Sequence, residues 1–219
     1  MDKYFQFEDV FNNSIAVEYK KLRNNFCLLT KAQEPVKSVL VVGSVHREGA
    51  SAVARNFAKA MAEDPGSNVL LMDLNYRSPS IASLKKRPKG ASDAFLEEAE
   101  LEDVIATTDT ENLFLLPCGL AQCDPHRMVN SKRFAELLAK LQRRFHLVVI
   151  DSSPIQYYPE STLLASKVGG VLLVVCAEST RREIVADAQK KIETTGGKVL
   201  GVVLNRRKHY IPKLIYNRL

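Results

Sequence analysis

Four absences narrow the 219-residue chain before any motif is considered. No stretch offers the ~18 to 20 apolar residues that a membrane-spanning helix requires, so work at a membrane would need a partner to hold the chain there. The four cysteines, Cys27, Cys118, Cys123 and Cys176, contain no C-x-x-C pair, which fits a reduced cytosolic protein. Cys118 and Cys123, five positions apart with no two further ligands beside them, are poor material for a metal site. Repeats, low-complexity tracts and long linkers are missing too, and with 46% hydrophobic residues the chain can bury one full core. Finally, basic residues are not interleaved with aromatic ones in a stacking pattern, which argues against nucleic acid.

What is present begins with charge. Lys and Arg total 31 against 25 Asp and Glu, a net +6, and much of the excess falls in Asn205-Arg206-Arg207-Lys208-His209-Tyr210-Ile211-Pro212-Lys213. That stretch reads either as a solvated terminus or as a surface for anionic lipid or an acidic partner tail.

From residue 36 onward, short apolar runs alternate with amphipathic stretches, which predicts an α/β fold. The expected strands are Val36 to Gly43, Asn68 to Asp73, Leu113 to Pro117, Leu147 to Asp151, Gly170 to Cys176 and Val199 to Asn205. Their near-continuous Val, Leu and Ile interiors suit strands covered on both faces, hence a mostly parallel central sheet with helices on both sides. Crossover helices are expected at Ser51 to Glu63, Lys132 to Arg144 and Arg181 to Thr194, the last stopped by Gly196-Gly197. Ahead of the first strand, Ile15, Tyr19, Leu22, Phe26 and Leu29 recur at helical spacing on one face, with Glu18, Lys20, Lys21 and Arg23 opposite.

The segment Val39 to Ala54 reads as strand, tight loop and helix start, the shape of a phosphate-binding P-loop. There, glycine lets backbone N–H groups approach phosphate, lysine neutralises the outer phosphates, and Ser or Thr holds magnesium. Gly49 and Ser51 are in place, but Ser44 stands at the first glycine position and Ala50 at the lysine position. The candidate nucleotide-binding set is Ser44, Arg47, Glu48, Gly49, Ala50, Ser51 and Ala52, with Arg47 the nearest replacement cation. Asp73 and Asp151 each close a strand at its C-terminal end, where open α/β sheets bind ligands. Beside Ser51 they would form a magnesium-phosphate site: Ser51 as direct ligand, Asp151 holding a metal water, Asp73 orienting a water or an acceptor hydroxyl. His46 is an exposed loop histidine with no identified carboxylate partner.

From about Glu18 to Asn205 the chain resembles the bacterial tyrosine kinase (BY-kinase) family of capsular and exopolysaccharide biosynthesis, cytoplasmic relatives of the MinD and ParA type ATPases. The resemblance rests on Glu18 to Asn25, the loop Ser44 to Ser51, Asp73-Leu74-Asn75-Tyr76-Arg77-Ser78-Pro79, Asp151-Ser152-Ser153-Pro154, and the run from Leu116-Pro117-Cys118-Gly119 through Asp124-Pro125 to Phe134. It implies a three-layer P-loop NTPase-like fold over residues 36–205, an N-terminal segment 1–35 whose helix packs on it, and a basic tail 206–219. It further implies that Glu18, Lys20 and Arg23 correspond to a ring-shaped oligomer interface, that Tyr210 and Tyr216 are what remains of a phosphoacceptor tail, and that Asn205 meets adenine.

The departures are specific. Relatives carry lysine at Ala50 and a second aspartate at Asn75, and proline and glycine at His46 and Arg47. The expectation is therefore a catalytically impaired, BY-kinase-like regulator of a membrane polysaccharide co-polymerase or chain-length protein, with weak or absent Mg-ATP or Mg-ADP binding and a capacity for homo-oligomers. The rivals are an active autokinase with a non-standard P-loop and a MinD-like membrane-positioning ATPase.

Overall fold

The computed structural model describes residues 4–5, 13–31, 35–79, 89–96, 99–120 and 122–207. In chain order these form β1 (Tyr4–Phe5), α1 (Asn13–Lys31), β2 (Ser38–Gly43), α2 (Ala50–Ala62), β3 (Val69–Leu74), α3 (Ala91–Phe95), α4 (Leu101–Val104) and β4 (Ala106–Thr108). There follow β5 (Leu113–Leu116), α5 (Pro125–Asn130), α6 (Lys132–Arg144), β6 (Leu147–Ser152), α7 (Pro159–Ala165), β7 (Gly170–Cys176), α8 (Arg182–Thr194) and β8 (Val199–Asn205).

One eight-stranded sheet runs in the order β1-β4-β5-β3-β6-β2-β7-β8. Its pairings are parallel except β4 with β5. The apolar runs of the inner strands divide by alternation between two cores. Leu40, Val42, Leu70, Met72, Val148 and Ile150 enter one, with Phe134, Leu138 and Leu141 of α6. Val39, Val41, Val69, Leu71, Leu147 and Val149 enter the other, with Val53, Phe57 and Met61 of α2. Successive strand side chains point to opposite faces, so a strand buried on both must be apolar throughout.

α1 lies on α2, where Phe26 meets Phe57 edge-on with ring centroids 5.2 Å apart. Tyr19, Leu22 and Cys27 pack on the same core. Leu29, expected on this face, is 53% exposed, because the contact with α2 ends near Phe26 and Cys27. Arg23, expected opposite, reaches inward instead. Its guanidinium donates to the Ala60 carbonyl (3.3 Å) and lies 3.1 Å from Asp64 and 3.7 Å from Glu63. Lys20 pairs with Glu63 at 3.3 Å. Cations at the last turn of α2 complement its free carbonyls, so α1 is fastened by its packing and by charge. Glu18 pairs with Lys21 at 2.9 Å. All three residues expected at a subunit interface are thus engaged within the chain.

Among the described residues no helix is long and apolar enough to cross a membrane. The tail tyrosines Tyr210 and Tyr216 lie outside the described residues.

Candidate functional site

Three neighbouring strands, β3, β6 and β2, end on the same edge of the sheet and carry the candidate residues there. β2 ends at Gly43 and leads through the loop 44–49 into α2, which starts at Ala50. Gly49, the residue before the helix, has φ 85°, a left-handed conformation that glycine adopts without steric cost. The side chain of Asn205, from the end of β8, fills the space above it and donates from Nδ2 to the Glu48 carbonyl at 2.8 Å. A Cβ at position 49 would stand 2.3 Å from that nitrogen.

Gly49→Ala is therefore expected to destabilise the fold by about 2 to 3 kcal/mol, adding left-handed strain to the loss of the Asn205 contact. A melting temperature ~4 to 12 °C lower in a thermal melt is the check, and an unchanged one would contradict this account of the loop.

The loop is braced from below by a carboxylate. Glu48 is 2% exposed and accepts from the Ser44 hydroxyl (2.8 and 2.9 Å), the Val45 N–H (2.8 Å) and the Thr180 hydroxyl from beyond β7. Ser44, at the first glycine position, thus has a structural duty. With Gly49 turned and α2 starting behind it, the loop keeps the form of an anion cradle at a helix N-terminus. Ala50 contributes only a methyl group, partly packed against the core. His46 and Arg47 stand exposed at the loop tip, Arg47 with φ 66°.

Asp73 and Asp151 are register partners across β3 and β6, and both are fully buried. Asp73 accepts the Asn75 N–H at 2.9 Å. Among the described residues, neither carboxylate oxygen of Asp151 has a hydrogen-bond partner of normal geometry. Burial first, and then the negative charge of Asp73, push the Asp151 carboxyl well above the usual carboxylate range, while the Ser51 hydroxyl and the Ser152 backbone pull the other way. Asn75 ties the two strand ends together, because its side-chain oxygen accepts from the Ser153 hydroxyl at 3.0 Å and the Ser78 N–H at 3.3 Å. The neutral amide holds this loop with one negative charge fewer than an aspartate would.

Among the described residues no group of three or more His, Cys, Asp or Glu is placed to hold a metal. Magnesium does not need one, since one or two carboxylates, a hydroxyl, water and substrate phosphates suffice. Bare, buried Asp151 oxygens beside Asp73 and Ser51 fit that donor set. A left-handed Gly49 leading into the N-terminus of α2 is the kind of backbone that suits a phosphate. At position 50, between Gly49 and Ser51, the sequence supplies alanine.

The chain is similar to known proteins along most of its length. It is 28% identical over 196 residues to a putative tyrosine-protein kinase CapB of Staphylococcus aureus, covering 89% of this chain and 85% of the relative. It is 26% identical over 193 residues to the tyrosine-protein kinase YwqD of Bacillus subtilis, covering 87% and 81%. The crystal structure of the chimerical protein CapA2B2 superposes with a TM-score of 0.81 at 27% identity, covering 94% of this chain and 93% of that one.

This chain is a relative of the bacterial tyrosine kinases.

A more distant likeness, to the septum site-determining protein MinD of Pyrococcus horikoshii OT3 complexed with Mg-ADP, has a TM-score of 0.65 at 19% identity, over 83% of this chain and 76% of that one, and shows the shared P-loop ATPase fold alone. No protein-family model matches the chain.

Ser44, Glu48, Gly49, Ala50, Ser51, Asp73 and Asp151 meet on one edge as the strand ends predict. Asn205 reaches the same loop, but one amide N–H goes to Glu48 and its oxygen accepts the Arg206 N–H at 2.9 Å. These contacts tie the end of β8 to the loop. Two links escaped sequence reasoning: Thr180 lies 132 positions from its partner Glu48, and Ser153, read only as part of the run Asp151-Ser152-Ser153-Pro154, lies 78 from Asn75.

Proposed function

We propose that this chain is a BY-kinase-like cytoplasmic protein of capsule or exopolysaccharide biosynthesis, catalytically impaired, that regulates or scaffolds a membrane polysaccharide co-polymerase from the inner face of the membrane. One observation carries this reading: a braced loop and a bare, buried Asp151 carboxylate surround a position that holds alanine. Loss of one charge-assisted phosphate contact in a partly dry site removes about 2 to 4 kcal/mol of transition-state stabilisation, ~30- to 1000-fold in rate. Phosphoryl transfer is then very slow, and Mg-nucleotide binding weak. The likeness to named tyrosine kinases supports the fold and the cellular setting, while Ala50 and Asn75 support the loss of chemistry.

The test compares polymer output in the native host when the chain is deleted and when it is replaced by Asp73→Asn. A scaffold predicts that deletion lowers output and that Asp73→Asn restores it, with no phosphotyrosine on Tyr210 or Tyr216. Failure of Asp73→Asn to restore output, with phosphate appearing on those tyrosines in the natural protein alone, would instead establish an autokinase with a non-standard loop. That second reading has one observation in its favour, the exposed Arg47 at the loop tip. Arg47→Ala removes its proposed cation.

A further inference from the structure

Seven tyrosines occur in the sequence, and the structure distinguishes sharply among those it describes. Tyr19, on α1, is half-buried against the core, and burial raises its pKa. Tyr76 donates its hydroxyl to Met128 Sδ at 3.3 Å, and burial raises its pKa well above the ordinary value. Tyr158 is half-buried, with the Arg77 guanidinium 5.3 Å from its ring centroid and its hydroxyl 3.5 Å from His46 Nε2.

Tyr157 differs from all three. It lies on the connection from Asp151 to α7, is 55% exposed, and stacks its ring on His46 with centroids 4.9 Å apart and planes 14° apart. Among the described residues its hydroxyl takes no hydrogen-bond partner. A second ring, that of Tyr158, meets both in edge-on contact, at 6.3 Å from Tyr157 and 5.7 Å from His46. Ring stacking restricts a side chain whose reactive end stays in solvent, which is how an acceptor is presented rather than stored.

We propose that Tyr157 is a phosphoryl-acceptor site, modified by an ATP-dependent tyrosine kinase. In the step, the phenolic oxygen attacks the γ-phosphorus of ATP, the bond from that phosphorus to the β,γ-bridging oxygen breaks, ADP leaves, and the phenolic proton passes to a carboxylate of the kinase that acts. The product adds about 1.5 to 2 negative charges beside His46, whose chain neighbour is Arg47. Modification there would reach the Ser44–Ser51 loop directly, through its own tip. The inference concerns the acceptor and does not require this chain to be the donor.

The test incubates the full chain with Mg-ATP in two arms, alone and with a bacterial tyrosine kinase that retains its P-loop lysine, a poly(Glu,Tyr) acceptor being present in the second arm. Phosphopeptides are then mapped by mass spectrometry. The expected result is phosphate on Tyr157 in the second arm, lost in Tyr157→Phe and kept in Tyr158→Phe. The Tyr157→Phe change removes only a solvent-facing hydroxyl and leaves the stack, so the variant should melt as the natural chain does. Phosphate on Tyr157 in the first arm as well would uphold the acceptor while overturning the proposed catalytic impairment. Labelling of poly(Glu,Tyr) with none on Tyr157, or phosphate confined to other tyrosines, would overturn the acceptor and leave the impairment standing.

Discussion

Ala50→Lys is expected to bind Mg-ADP about 10- to 150-fold more tightly than the natural chain, the worth of one hydrogen bond to a charged group, ~1.5 to 3 kcal/mol. The basis is that the rest of the loop already stands in a binding form. Glu48 is held by Ser44, Val45 and Thr180, Asn205 locks Gly49 in its left-handed turn, and α2 begins at position 50 itself. A lysine added there needs no remodelling of the loop, only an ammonium at the end of a four-carbon stem near the helix N-terminus. Calorimetric titration of both proteins with Mg-ADP and a non-hydrolysable ATP analogue reads the difference. Equal affinities, each in the micromolar range, would mean that another group already supplies the charge. Arg47→Ala would then lose the binding if that group is Arg47. Silence in both proteins would mean that the pocket itself has gone, and the nucleotide part of the proposal with it.

The sequence made the sheet legible because its inner strands are buried on both faces, so burial wrote uninterrupted apolar runs whose ends mark the site edge. Gly170–Cys176, Val199–Asn205 and Lys132–Arg144 occur with the bounds the patterning predicts. Short elements carry too few residues for a period to develop. α5 (Pro125–Asn130) and α7 (Pro159–Ala165) each start with a proline at the first helical position, and Asp124 caps α5 by accepting the His126 N–H at 2.9 Å. Those signals were present, though as punctuation and not as periodicity. β4 has three residues, and its neighbour β1 has two.

In the site, Asp73 and Asp151 were readable as strand ends, but only the register across β3 and β6 sets them side by side. The cross-links that hold the loops, Thr180 to Glu48 and Ser153 to Asn75, are fixed by topology and have no local signature. Arg23 shows the opposite error. A helical wheel places it on the polar face, yet the end of α2 rises to meet it.

The paired carboxylates give the second large expectation, that Asp151→Asn stabilises the apo protein at neutral and alkaline pH. Burial and the Asp73 charge raise the Asp151 pKa well above the 3.8 of a free aspartate. A carboxyl whose pKa is raised by folding favours the native state while it is protonated. That contribution is complete below the unfolded value and fades as pH rises through the folded one. At acid pH the variant therefore gains little. Toward about pH 8 the natural chain must either hold a proton against its surroundings or bury a second charge next to Asp73, and removing that conflict recovers about 1 to 3 kcal/mol. Thermal melts from about pH 5 to 8 in the presence of chelator should show the variant ahead by ~2 to 12 °C at the upper end, the gap closing toward the lower. Millimolar magnesium should raise the natural chain and leave Asp151→Asn almost unmoved, because the cation answers the same charge that the substitution removes. A variant that melts at or below the natural chain across the whole range would show that the Asp73 and Asp151 charges are already compensated, and magnesium would then have no bare oxygens to bind.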